Sequence, residues 1–251
     1  MKHARVIYQG TEFAATERDG KLLLSDGRIA SFDDVQWLPP FTPVNQARTI
    51  LCLGLNYSDH AKELAFKPPT EPLAFLKGQS GLIGHRQHTP RPAGVKFMHY
   101  ECELAVVIGR VAKNVRASDA YDFIAGYTVA NDYAIRDYLE NWYRPNLKVK
   151  GRPACTPIGP WLVDAKDIAD PMQLNLQTTV NGQVTQRGST RDMIFSIPVL
   201  IEYFTSFMTL RPGDLILTGT PDGVVDCPAG SVIECGIESI GTLHNTIESA
   251  A

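Results

Sequence analysis

The chain has no long apolar run. Among its 251 residues no stretch approaches the roughly 18 consecutive apolar side chains of a membrane-spanning helix. Its first residues, Met1 to Gly10, contain no apolar block of the signal-peptide kind, so the expectation is a cytoplasmic protein that meets no membrane. Cysteine is sparse and unpatterned: Cys52, Cys102, Cys155, Cys227 and Cys235 form an odd set without a Cys-x-x-Cys pair. That argues against a zinc knuckle or disulfide framework and for reduced, buried thiols. Charge of one sign is also lacking. The net charge is -3, with acids and bases mixed and no basic stripe, so nucleic acid is not an expected partner. There is no Gly-x-Gly-x-x-Gly, no Gly-rich phosphate loop with its lysine and no internal repeat, so nucleotide cofactors are not implied.

What is present reads as strands. Arg5 to Tyr8 and Lys21 to Leu24 are short alternating runs broken by Asp19-Gly20 and Asp26-Gly27, which have hairpin-turn chemistry. Pro39-Pro40-Phe-Thr-Pro43 then reads as a linker. The expected division is a small N-terminal β lobe with its linker, residues 1–45, and a catalytic domain, residues 46–251. Helical patterns are few: from His60 onward, Ala117 to Phe123, Tyr133 to Tyr143 and Met193 to Met208, the last suited to the core. The mixture predicts an α+β, mainly β fold with peripheral helices.

Two glutamates interrupt this pattern in Tyr100-Glu101-Cys102-Glu103-Leu104, at the head of an apolar run. Alternate residues of a strand share a face, so Glu101 and Glu103 project together while Cys102 points away. Like charges that close resist burial unless something positive sits between them, and a hard divalent cation with oxygen ligands satisfies that need. Asp132, closing the apolar run Gly126-Tyr-Thr-Val-Ala-Asn-Asp132, could supply a third carboxylate. Solvated strand charges or ion pairs are the alternative reading of these acids.

The segment after the Thr49 to Leu55 strand places His60 and Glu63 three residues apart, neighbours on one face if it is helical. A carboxylate beside an imidazole fixes its tautomer and raises its basicity, which prepares a general base; a surface ion pair is the alternative. The following Lys67-Pro-Pro-Thr-Glu-Pro72 must stop a helix, and residues 59–72 are predicted to form a lid.

Taken in order, Gly-x-Asn-Tyr-x-x-His60-x-x-Glu63, Tyr100-Glu101-x-Glu103-Leu, Gly126-Tyr-x-x-x-Asn-Asp132-x-x-x-Arg136-Asp137, Lys150, Pro157-x-Gly-Pro160, Val180-Asn-Gly182, Pro212-Gly-Asp214 and Thr218-Gly-Thr220-Pro221 resemble the fumarylacetoacetate hydrolase family over roughly residues 46–245. Phe66-Lys-Pro-Pro and residues 131–150 further resemble the metal-binding half of its homoprotocatechuate-pathway (4-hydroxyphenylacetate) members, which decarboxylate and isomerise unsaturated 2-oxo acids. The resemblance implies a mixed β-sandwich roll and a homodimer or higher homo-oligomer. It implies Mg²⁺ or Mn²⁺ on Glu101, Glu103 and Asp132, a bound ion that would stabilise an enolate formed by loss of CO₂ or of a proton. His60 with Glu63 would move the proton. Lys150 matches the family's active-site lysine, and Thr220 and Arg136 become substrate contacts, although an ion pair with Asp137 or another acid is an equal alternative for Arg136. Arg144 and Lys148 are weaker candidates for a remote carboxylate.

The expected activity is metal-dependent decarboxylation, double-bond isomerisation, or both, of a small 2-oxo (2-hydroxydienoate) di- or tricarboxylic acid in aromatic catabolism. One departure bears on the alternatives. Carbon–carbon hydrolases of the family carry Arg-Asp-x-Gln after the metal aspartate, whereas here Leu139 ends Arg136-Asp137-Tyr138-Leu139 and can make no such hydrogen bond. Acylpyruvate or fumarylpyruvate-type hydrolysis is therefore the runner-up, with oxaloacetate decarboxylation or tautomerisation third.

Overall fold

The computed structural model describes residues 1–41, 48–59, 69–139 and 147–250. The two expected N-terminal turns form. Thr11–Arg18 pairs antiparallel with Lys21–Leu24 across Asp19-Gly20, both at positive φ, and Lys21–Leu24 turns at Gly27 into Ile29–Ala30. The first strand, Lys2–Tyr8, then pairs on its other side with Thr156–Asp164, so these strands extend one large sheet. Its spatial order is Ile29–Ala30, Lys21–Leu24, Thr11–Arg18, Lys2–Tyr8, Thr156–Asp164, Ile124–Asn131, Cys102–Ile108, Leu215–Leu217, Ile50–Gly54 and Leu73–Leu76. Leu215–Leu217 and Ile50–Gly54 are parallel, which makes the sheet mixed. A second sheet of five strands runs Gln183–Ser189, Asn175–Val180, Val232–Ile237, Gly241–Ser249 and His88–Arg91. The fold is thus mainly β with large mixed sheets, as the sequence predicts.

Cys102–Ile108 lies in the middle of the large sheet, and all seven of its residues are buried. A strand covered on both faces reads as a continuous apolar run. Glu103 is the exception within Cys-Glu-Leu-Ala-Val-Val-Ile, and that anomaly marks the site. All five cysteines are free and buried.

Among the described residues the helices are short. Met193 to Met208 yields Ile197–Phe207, with Pro198 in its first turn and Ile197, Leu200, Ile201 and Phe204 facing the core. Ala117–Phe123 is a 3-10 helix. The helix expected over Tyr133 to Tyr143 is replaced, where described, by a two-residue strand, Ala134–Ile135, and a 3-10 turn, Arg136–Tyr138. Here the backbone bonds sideways: Ala134–Ile135 pairs with Met98–His99, and the Arg136 N–H donates to the Phe97 carbonyl at 2.9 Å instead of closing an i to i−4 turn. The helix expected from His60, the greater part of the 59–72 lid, and residues His60, Glu63 and Arg144 lie outside the described residues.

An aromatic cluster fastens the N-terminal strands to the second sheet. Trp37 meets Trp161 at 5.2 Å and His85 at 5.1 Å edge to face, and His85 meets His244 at 5.2 Å. Burial, with His244 and Arg86 adding to it, pushes the His85 imidazole down to about 3. The folded state therefore holds His85 neutral where the unfolded chain protonates near 6.5. Its contribution is complete above pH 6.5 and is lost as pH falls towards 3, at about 1.4 kcal/mol per pH step within that window. Urea titrations at pH 7 and 4.5 should show wild type losing more stability than His85→Gln over this interval; equal losses would mean that the imidazole is not held neutral.

Candidate metal centre

The antiparallel ladder between Cys102–Ile108 and Ile124–Asn131 sets Cys102 opposite Asn131. One step further along, Glu101 faces Asp132, and the Asp132 N–H donates to the Glu101 carbonyl at 2.9 Å. Directly opposed residues share a face, as do Glu101 and Glu103, so register alone gathers three carboxylates. One oxygen from each of Glu101, Glu103 and Asp132 lies within 4.8 Å of the others, and all three residues are buried. Asn131 supports the arrangement by accepting the Glu101 N–H at 3.0 Å.

Glu103 is held from the opposite side by the loop after Leu215–Leu217. Gly219 N–H donates to Glu103 Oε2 at 2.7 Å, while Thr218 donates through both its backbone and its hydroxyl to the Leu104 carbonyl. Gly219 has φ +91° and lies against Asn56, so this turn requires glycine. Asn56 in turn donates to the Thr218 carbonyl at 2.8 Å. Thr220, the next residue after the anchor, is buried and its hydroxyl accepts from Gln186 Nε2 at 2.9 Å. Among the described residues, Glu103 Oε1 has no hydrogen-bond partner. Burial, with repulsion from Asp132 and Glu101, pushes its carboxyl well above the usual carboxylate range.

Two lysines answer the acids. Lys150, ending the short helix Leu147–Lys150, donates to Glu101 Oε2 at 2.6 Å, Asp132 Oδ2 at 2.9 Å and the Asp132 carbonyl at 3.0 Å. Lys77, just beyond Leu73–Leu76, donates to Asp132 Oδ1 and lies 3.4 Å from the Cys155 carbonyl. Burial, the largest single influence, works to discharge both ammoniums, but the groups facing them, Asp132 foremost, together outweigh it and raise both above the ordinary lysine range. Lys77 was not among the sequence candidates; its one signal is a cation ending the apolar run Leu73-Ala-Phe-Leu76.

Arg136 reaches the site without a helix. Its Nη2 lies 3.7 Å from Glu101 Oε1 and its Nε donates to His99 Nε2 at 2.7 Å. Asp137 is occupied elsewhere, accepting the Lys96 and Phe97 N–H groups. His99, also absent from the sequence candidates, is buried, and burial more than anything else lowers its imidazole to about 4. Lys148 is exposed and stacks over Tyr138 at 4.5 Å, away from the acids.

This donor set suits a hard divalent cation: three convergent carboxylates and one buried carboxylate oxygen without a hydrogen-bond partner among the described residues. Because Lys77 and Asp132 form a fully buried pair, removing the ammonium strips Asp132 Oδ1 of its donor and leaves Lys150 alone to balance the carboxylate. Lys77→Met should cost about 3–5 kcal/mol in chemical denaturation without added metal; a loss below about 1 kcal/mol would show that Asp132 does not depend on it.

The model of the family described as fumarylacetoacetate (FAA) hydrolase, C-terminal, matches residues 49–248. A 4-hydroxyphenylacetate degradation bifunctional isomerase/decarboxylase of Salmonella dublin is 54% identical over 205 residues, which cover 82% of this chain and 48% of that protein. The chain thus spans about half the length of that relative. The crystal structure of 5-carboxymethyl-2-hydroxymuconate delta-isomerase from Mycobacterium smegmatis superposes with a TM-score of 0.88 at 36% identity, covering 100% of both chains. That of 2-hydroxyhepta-2,4-diene-1,7-dioate isomerase from Mycobacterium marinum gives 0.84 at 33% identity, covering 100% of this chain and 99% of the other. The extent of the family match and these identities, together with the buried acidic set, mean that the chain belongs to the fumarylacetoacetate hydrolase family.

Proposed function

We propose that this protein is a divalent-metal-dependent isomerase or decarboxylase of a 2-hydroxydienoate or 2-oxo acid bearing two or three carboxylates, in aromatic catabolism. The observation that carries this reading is the buried set of Glu101, Glu103 and Asp132, with Glu103 Oε1 unpartnered among the described residues. The names of the Salmonella and mycobacterial relatives supply the reaction class. Glu101, Glu103 and Asp132 would hold Mg²⁺ or Mn²⁺, and such an ion, when bound, supplies Lewis-acid stabilisation of charge developing on the 2-oxo oxygen.

The remaining roles belong to the chain's own groups. Lys150, which the acids keep charged, is within reach of any carboxylate or enolate oxygen that enters beside Glu101. Arg136 adds a planar fork on the same side. Thr220, the residue after Gly219, is assigned a substrate contact. His60, oriented by Glu63, is assigned the proton transfer between carbons that isomerisation requires, or protonation of the carbon that loses CO₂. Leu139 stands where hydrolysis would call for an amide, which favours chemistry without an attacking water.

All of these residues fall within 46–251, taken as the catalytic domain, with 1–45 as an appended β lobe. A cytoplasmic homo-oligomer is the accompanying expectation. Its support is an apolar edge strand, Leu73–Leu76, on which Leu73 and Leu76 are 52% and 62% exposed.

The test is turnover of 2-hydroxyhepta-2,4-diene-1,7-dioate and its 5-carboxy precursor, followed by diene absorbance with Mg²⁺ or Mn²⁺ present. Glu103→Gln should lower kcat/KM by about 10³ or more and weaken Mn²⁺ binding in calorimetry. Full activity in Glu103→Gln, or in wild type stripped with EDTA, would refute the metal-centred reading.

A further inference from the structure

His99 and Arg136 meet through strand register. The Met98–His99 and Ala134–Ile135 ladder pairs His99 with Ala134, and Arg136 lies two residues further on, a diagonal neighbour on the same face. Their contact has a definite proton arrangement. An arginine Nε–H can only donate, so His99 Nε2, 2.7 Å away, must accept. An imidazole that accepts at Nε2 is neutral and carries its proton on Nδ1, which lies 2.9 Å from the Tyr100 carbonyl and donates to it. Both ring nitrogens are thereby committed, and the ring is fully buried.

The consequence lies in the charge of Arg136. A carboxylate at position 99 would take the guanidinium as a paired fork and cancel its charge. A neutral ring engages Nε alone and leaves the full positive charge on a group whose Nη2 is 3.7 Å from Glu101 Oε1, too far for a good hydrogen bond. The Arg136 side chain is 24% exposed, whereas that of His99 is entirely covered, so solvent reaches the arginine and not the histidine.

We infer that His99 is a positioning residue that orients Arg136 through a neutral acceptor and keeps its charge available, making Arg136 the reader of a substrate carboxylate bound beside Glu101. The inference rests on the acidic set being a metal centre that admits a 2-oxo acid. It assigns to residue 99 a selectivity for anionic ligands that the three acids alone would oppose.

The experiment is calorimetric titration of oxalate, a small dianion that mimics the carboxylate and enol oxygens of a 2-oxo acid, into the Mn²⁺-loaded protein. His99→Asp and Arg136→Lys should each weaken oxalate about tenfold, and the double variant should be no weaker than either alone, because both break the same contact. His99→Gln, whose amide accepts from Nε without charge, should stay within about threefold of wild type. Mn²⁺ affinity should not weaken in any of them. Equal losses in the Gln and Asp variants, additive losses in the double variant, a parallel fall in Mn²⁺ affinity, or no oxalate binding by wild type would each overturn the inference. If His99→Asp does not fold, the contrast between His99→Gln and Arg136→Lys decides it, and a tenfold loss in the Gln variant overturns it. Wild type that shows the oxalate pattern yet leaves the dienedioate unchanged would refute the proposed function while supporting the role of His99.

Discussion

The mutual repulsion of three carboxylates confined to one buried pocket is the constraint around which this fold is arranged. Glu101, Glu103 and Asp132 are brought together by strand alternation and antiparallel register, so separating them would mean dismantling the centre of the large sheet. Apolar packing fixes that sheet, and the acids must be accommodated where it puts them. They are accommodated by grips of different kinds. Asp132 is held by an ammonium on each oxygen, Glu101 by Lys150, and Glu103, among the described residues, by one backbone N–H from Gly219. The weakest grip therefore falls on the most deeply buried glutamate, which is why its carboxyl is pushed so far up.

The lysines depend on the acids just as strongly. In an apolar pocket each would tend to lose its proton, and each is kept charged by Asp132. Such a network is all-or-none: fully paired it is rigid, and with one member missing the rest are stranded in low dielectric. On the proposed reading, that rigidity is what fixes ligand positions before a cation arrives, with Lys77 and Asn131 acting from behind the acids.

How far the sequence disclosed this follows the range of each interaction. The shared face of Glu101 and Glu103 was legible because a strand's period of two is a local property. The approach of Asp132 was legible in outline, since two apolar runs of similar length, each flanked by acids, suit antiparallel neighbours. Arg136 sits in a segment expected to be helical and arrives instead through a ladder, because Phe97 and Met98–His99 offered that segment backbone partners that a solitary turn could not match. Lys77 and His99 were passed over for the same reason in reverse. A lysine after Leu-Ala-Phe-Leu and a histidine before Tyr-Glu have no local pattern, and their meaning comes from residues 55 and 37 positions away along the chain.

The charge of the assembled site connects the acids to the kind of molecule it suits. With all three acids ionised, they cancel the charges of Lys77, Lys150 and Arg136, and such a site has no net attraction for a dianion. Burial, with the repulsion of Asp132 and Glu101, pushes the Glu103 carboxyl above the usual carboxylate range, and while it holds a proton the site carries a surplus of one positive charge. Exchange of that proton for a divalent cation at Glu103 would raise the surplus to two positive charges. Two is the number that a dicarboxylate brings, so the basic groups recruited to hold the acids together also set the charge of the substrate that the loaded site can neutralise. The neutrality of His99 belongs to the same balance, because an anion in its place would reduce the surplus to one and leave a second carboxylate unmatched.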